Sequence, residues 1–335
     1  MNGLNKVKSF VFKNATPILL VILGVFVLIR MPVFFTVDNL LSLSSQAAIW
    51  GLAAIGMTML ILTGVTDMSV GAQIYLGGVL VVRVYQATGN MMLGLMCSIL
   101  VCMLVSAFNG FAIVKMGLPS MITTLAMQQV CNGLASVIIG RDSVIKMPDE
   151  FAALGQSRLF NVPISALIFL GLFLVGVVLM NHTKFGRYVY AIGNNADALS
   201  ASGINVFRVR LATFMITGAL CGLAGTLNVS RIGGAQFGMG AQMEFNSMAA
   251  VVVGGTSMMG GSGNIIGTLL GVFVIAALDQ LLRMFSVSVY LYNVFWGSIV
   301  LFTVSMDLLK KYQQKREYEM RIIARRDDEA AATVD

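Results

Sequence analysis

The sequence predicts an all-α polytopic membrane protein of about ten transmembrane helices with both termini cytoplasmic. Three observations predict it. Hydrophobic residues make up 57% of the 335 and charged residues only 11%, against roughly a quarter charged in an average soluble domain. Apolar stretches long enough to cross a hydrocarbon core of ~30 Å recur from end to end. The 22 Lys and Arg collect at alternate gaps between those stretches, as retention of positive charge in the cytoplasm requires.

Taken in order, the spans fall at 17–35, 45–63, 70–86, 92–114, 119–139, 162–180, 211–229, 243–258, 264–282 and 288–305. Residues 1–14 form a cytoplasmic N-terminus, 15–308 the transmembrane domain, and 309–335 a charged cytoplasmic tail. Lys6, Lys8 and Lys13 precede the first span without a small-x-small cleavage site, so that span is read as retained. With both ends inside, fifteen of the twenty-two basic residues lie on the cytoplasmic side. The formal charge of +7 is then a topology signal and an attraction to anionic headgroups, with no aromatic-interleaved basic face for nucleic acid.

Chemistry of a catalytic kind is missing from the pattern. One histidine, His182, cannot build a Ser-His-Asp triad or an HExxH site, and no GxxxxGK[ST] loop occurs. The chain is therefore expected to be no enzyme and to hold no cofactor or metal. Cys97, Cys102, Cys131 and Cys221 fall inside spans without a CxxC pair and are expected as small buried residues.

Polar groups at membrane depth normally face a bundle interior or a pathway. Asp67, with Gly64, Ser69 and Gly71 around it, has two readings: a cap on the helix that follows, or a gating or subunit-contact residue. Asn109, Gln128, Asn132 and Asn246 are candidates either for gluing helices or for lining a path for a hydroxylated solute. Glu244 and Asp279 are expected at the interface. Gly254, Gly255, Gly260, Gly263, Gly267 and Gly271 suit tight helix crossings, as do Gly218 and Gly222. The segments starting at Ala53 and Ala249 share an A-A, G-x-T, G rhythm, a faint internal repeat.

The stretch 184–210 is a polar interruption in this apolar chain. Gly193 is expected to break the chain, Asn194 to cap a helix of about two turns carrying Asp197, and Gly203 to end it. Such a helix, lying along the membrane and presenting Ala198, Ser200, Ala201 and Ser202, would fit a groove on another protein; the plain alternative is a solvated loop. The outside loop 141–161 is polar enough to meet a soluble partner.

Three ordered blocks resemble the permease subunits of ribose-type bacterial ABC sugar importers over nearly the whole chain. VTDMSVG at 65–71 stands for the family's G-I-D-L-S-V-G. Phe185, Gly186, Tyr190, Ala191, Gly193 and Asn195 match F-G-x-x-x-Y-A-x-G-x-N, followed by SGIN at 202–205, and G-G-T-S-x-x-G-G-x-G lies within 252–268. The resemblance implies a coupling helix at Gly193, Asn194, Asn195, Asp197, Ala198, Ser202 and Gly203 that docks on an ATP-binding subunit. It also implies that ATP and Mg are bound by that partner, a periplasmic or lipid-anchored substrate-binding protein received by loop 141–161 and the region from Gly233, and a second permease chain, identical or different. The chain departs from the pattern at Val65 and Thr66, and at Asn246, where many members have an acid; these changes fit either a heterodimer or an unusual solute.

The function expected is inner-membrane import of a monosaccharide or similar polar metabolite by alternating access. The competing class is an autonomous secondary transporter or channel, which ought to show the buried ion-coupling carboxylates that are scarce here.

Overall fold

A computed structural model describes residues 32–140, 144–148, 151 and 155–288, with isolated helical positions at 291, 294, 297, 298, 301 and 305. The chain divides into two compact units, Met1–Ser288 and Val289–Asp335, the second described only at those isolated positions. The N-terminus 1–14 and the tail 309–335 lie outside the described residues, and the predicted spans 17–35 and 288–305 lie largely outside them.

After a 3-10 turn, Pro32–Phe35, the first unit runs through α1 (Val37–Leu62), α2 (Val70–Thr88), α3 (Met91–Val114) and α4 (Ser120–Ile139). Three short strands follow: β1 (Val144–Lys146), β2 (Arg158–Leu159) and β3 (Val162–Pro163). Then come α5 (Ile164–His182), α6 (Lys184–Ala201), α7 (Val206–Ile232), β4 (Gly234–Gln236), α8 (Met243–Val253) and α9 (Ile265–Met284). Among the described residues six helices, α1, α3, α4, α5, α7 and α9, are long and apolar enough to cross a membrane. The protein is thus a multi-pass membrane protein. Helix α2 has 19 residues but spends its length on Gln73, Arg83 and Gln86.

Helix α1 is the axis of the bundle, with Ser45 through Leu62 buried without interruption. It runs antiparallel to α9, where the hydroxyls of Thr58 and Thr268 meet at 2.8 Å and Gln280 Nε2 donates to Asn39 Oδ1 at 2.7 Å. It runs parallel to α5, through a Ser45–Ser165 hydrogen bond of 2.9 Å and Phe169 seated over Gly51. In lipid there is no solvent-driven pressure to pack helices, so close approach of small residues must hold them. Accordingly Gly218 and Gly222 of α7 lie against the α3 backbone at Cys102 and Ile99, with no space for a methyl group. On α3 the residues at four-residue intervals, Met92, Met96, Leu100, Leu104 and Phe108, are exposed and apolar, a stripe suited to acyl chains. Cys102, Cys131 and Cys221 are buried and Cys97 half-buried, all as free thiols.

The predicted span 243–258 is corrected. Helix α8 has 11 residues, about 16 Å at 1.5 Å per residue and half of a membrane crossing. The rest of that crossing is the irregular stretch 237–242, packed against protein on its inner side, where Gly240 is buried. Gly240 lies against the Gly71 backbone, Asn228 Nδ2 donates to Met239 O at 3.2 Å, and Ser247 Oγ donates to Trp50 O at 3.1 Å. Helix α2 likewise begins inside the bundle, after the unwound stretch 63–69. The N-termini of α2 and α8 therefore meet at depth, each at a break in a crossing.

At one end of the bundle β1 pairs antiparallel with β4, Ile145 opposite Ala235, which joins the two outer regions expected to receive a soluble partner. At the other end lie α6, the C-terminus of α1 and the loop 254–264.

Candidate coupling junction and buried carboxylates

Helix α6 lies outside the spans, its buried side made by Gly186, Val189 and Ile192. Thr183 caps its start, Oγ1 accepting from Gly186 N at 3.4 Å. The break expected at Gly193 comes instead at Asn195, whose backbone is extended (φ −160°, ψ 97°). Asn195, not Asn194, caps the second piece, Oδ1 accepting from Ala198 N at 2.9 Å. Asn194 is the last residue of the first piece and turns inward. Gly193 stays helical and can only be glycine, because Leu62 O and Gly261 N occupy the space a Cβ would need. Gly203, at φ +81°, closes the segment: its N–H reaches Ser200 O at 2.9 Å and Ile204 N reaches Leu199 O, the paired bonds of a left-handed C-cap. Asn195, Asp197, Ala198, Ser200, Ala201 and Ser202 are exposed along one continuous polar ridge.

Beneath that ridge Asn194 Nδ2 donates to Gly261 O at 3.2 Å and to Tyr190 O at 2.9 Å. Tyr190 Oη donates to Gly263 O at 3.2 Å, and burial pushes the phenol above its usual range, so it stays a donor. Gly261 N donates to Leu62 O at 2.9 Å, and Arg210 Nη2 to Thr63 O at 3.0 Å. Gly64, at φ +80°, ends α1 with the same C-cap, Val65 N reaching Leu60 O at 3.2 Å. The two segments with the shared A-A, G-x-T, G rhythm thus run in parallel, and their glycine ends touch, Gly260 against Gly64.

Asp67 is fully buried, and its local bonds fit the reading as a cap on the helix that follows. Its Oδ1 accepts from Ser69 N at 2.8 Å and Ser69 Oγ at 2.5 Å, a local cap on the start of α2. Its Oδ2 takes Gln73 Nε2 at 3.3 Å and Asn109 Nδ2 at 3.5 Å, which reach it from α2 and α3. Asn109 Nδ2 also reaches Ser69 Oγ at 3.0 Å, and Ser106 Oγ reaches Gln73 Oε1 at 2.8 Å. The carboxylate's hydrogen-bond capacity is filled from neutral donors, with no ion pair among the described residues.

Glu244, expected at the interface, is buried in the first turn of α8. Its Oε1 accepts from Gln128 Nε2 at 2.8 Å, while Oε2 lies against Gly71 beside Gly240 O. Gly71 can only be glycine there. Asp279 is likewise buried rather than interfacial, held by Arg283 at 2.8 Å and by Gln46.

The four candidate path residues separate. Asn109 and Asn246 are buried within the chain, whereas Gln128 and Asn132 sit half-buried on α4 next to exposed Gln129 and Gly133. Among the glycines, Gly267 and Gly271 meet Gly254 and Ala250 backbone, fusing α8 to α9, and Gly263 abuts Thr256. Gly255, at φ +89°, ends α8. Sequence reasoning missed Gln73, Ser106 and Arg210, and named Tyr190 only as a match to a family block. The first was legible as the residue one helical turn after Ser69; the others needed the fold. A cavity of about 710 Å³, lined by Asn90, Met92, Leu95, Ile168 and Leu223, touches none of these groups. Among the described residues no three His, Cys, Asp or Glu group as metal ligands.

Residues 39–304 match the family described as branched-chain amino acid transport system / permease component. The chain is 31% identical to the ribose import permease protein RbsC of Escherichia coli strain K12, over 91% of this chain and 96% of that one. It is 36% identical to the protein of the same name from Bacillus subtilis strain 168, over 87% and 91%. It is 31% identical to the galactose/methyl galactoside import permease protein MglC of E. coli strain K12, over 94% and 100%. No solved structure matches it.

Proposed function

Because the chain belongs to the family of branched-chain amino acid transport system permease components, we propose that it is the membrane subunit of an ATP-driven importer for a monosaccharide or similar neutral polyol. The observation that carries the reading is α6: a polar ridge free on its outer side and hydrogen-bonded on its inner side to the loops that end α1 and precede α9. A ridge that is anchored only from within suits docking on a separate ATP-binding subunit, which would bind ATP and Mg. The relatives' names point to sugars rather than to the amino acids of the family's description. The interior agrees with that preference. Helix N-termini at membrane depth are ready sites for a solute carboxylate, but here Asp67 and Glu244 already sit at those of α2 and α8.

In this reading the chain has ten spans, both termini cytoplasmic, in a bacterial inner membrane. The ribbon of β1 and β4 receives the substrate-binding protein, and the half-buried amides Gln128 and Asn132 on α4 face the path shared with a second permease chain. The test is co-purification from detergent with the neighbouring gene products, followed by an ATPase assay. An ATP-binding subunit that co-purifies, with hydrolysis raised by ribose-loaded binding protein, supports the importer. A chain that binds no ATPase and moves ribose alone in liposomes overturns it in favour of a secondary transporter.

A further inference from the structure

Three stretches far apart in sequence, 62–71, 185–195 and 252–264, converge on Gly261. Its N–H is given to Leu62 O at 2.9 Å and its carbonyl receives Asn194 Nδ2 at 3.2 Å. Both backbone groups of one residue thus tie the end of α1 to α6. Two residues further on, Gly263 O receives the Tyr190 hydroxyl at 3.2 Å. Around these bonds the contacts are backbone on backbone: Gly193 on Leu62 and Gly261, Gly260 on Leu62 and Gly64. From Leu62 the chain reaches Asp67 in five residues, and Asp67 holds the starts of Ser69, Gln73 and Asn109 contacts across α2 and α3.

Resting on the reading of α6 as the docking segment, we propose that the Gly261 clasp carries displacement of α6 into the Asp67 network, with Tyr190 and Asn194 as its positioning residues. The warrant is stiffness. Glycine backbones in van der Waals contact leave no long side chain or void to absorb a shift, and packed interiors move between discrete arrangements rather than deform. Loop 254–264 is the wedge: with both donors in place α6 takes Gly261 with it, and Gly261 takes the last turn of α1. Arg210 grips the neighbouring carbonyl, Thr63 O, so the start of α7 joins the same motion. The two side-chain donors decide whether the loop follows α6 or slips past it.

Spatial convergence alone is not coupling, so the test perturbs one end and reads the other. The full complex with its ATP-binding subunit, in nanodiscs, is compared by hydrogen–deuterium exchange with and without ATP plus vanadate. In the parent, exchange is expected to change in peptides covering 190–203 and 62–73. In Tyr190→Phe/Asn194→Ala the change at 190–203 persists, while the change at 62–73 falls at least threefold; Tyr190→Phe alone, which removes one hydroxyl, gives a partial loss. An undiminished response at 62–73 in both variants overturns the clasp. No response at 190–203 in the parent removes the docking reading, and the proposal falls with it.

Discussion

At the residue scale the protein's economy lies in Asp67. A buried carboxylate without a cation partner is stable only if neutral donors fill its acceptor sites, and Ser69, Gln73 and Asn109 do so from three positions. Asp67→Asn keeps Oδ1 for Ser69 but turns a donor toward Gln73 and Asn109, so a loss of about 1–3 kcal/mol is expected. Asp67→Leu strands all the donors and is expected to cost more than Asp67→Asn. Denaturant unfolding of the detergent-solubilised chain checks the order of the two. A second prediction concerns Gly193, where any Cβ meets Leu62 O and Gly261 N. Gly193→Ala has no flexible neighbour to displace, so it is expected to lower the melting midpoint, whereas Gly171→Ala, in open space on α5, is expected to leave it unchanged.

At the element scale the test falls on the second piece of α6. Asn195→Ala removes a cap, worth about 1 kcal/mol, and is expected to weaken capture of the ATP-binding subunit without unfolding the chain. Ala198→Arg puts a long cation on the exposed ridge and is expected to abolish capture, with monodispersity in gel filtration unchanged; pull-down yields report both. This element also shows how far the sequence could be read. Its polarity, its length and the glycine at 203 were visible because they are local facts. The shift of the cap from Asn194 to Asn195 was not, because both are good caps and only the bond from Asn194 to Gly261, 67 residues away, decides between them. The same holds for 243–258, whose apolar content reads as a span. What shortens it lies at its far end, where Gly255 turns left-handed (φ +89°) and Gly254 lies against the Gly267 backbone, a tertiary contact with no signature in periodicity. Glu244 was misplaced for a related reason, its partner Gln128 being a distant neutral amide; Asp279 has Arg283 one turn on, but the contact that accompanies its burial, Gln46, is also far off in sequence.

At the scale of the whole molecule the end opposite α6 presents aromatic rings to solvent. Phe160 is 90% exposed and Phe237 67%. Rings so placed on a membrane protein's outer face suit capture of a soluble partner. Phe160→Ser with Phe237→Ser is expected to reduce stimulation of ATP hydrolysis by the binding protein several-fold while leaving capture of the ATP-binding subunit intact. Phe237 lies just past β4, beside Tyr75 of α2 at 6.3 Å between ring centres. The ribbon to which it is attached also settles how this surface can be re-engineered. Because Val144, Ile145 and Lys146 are rungs of one ladder with Gln236, Ala235 and Gly234, the surface is a single graft unit. A chimera that borrows residues 141–163 from a relative must borrow 233–242 from the same donor, or the transplanted strand will find a stranger in its register.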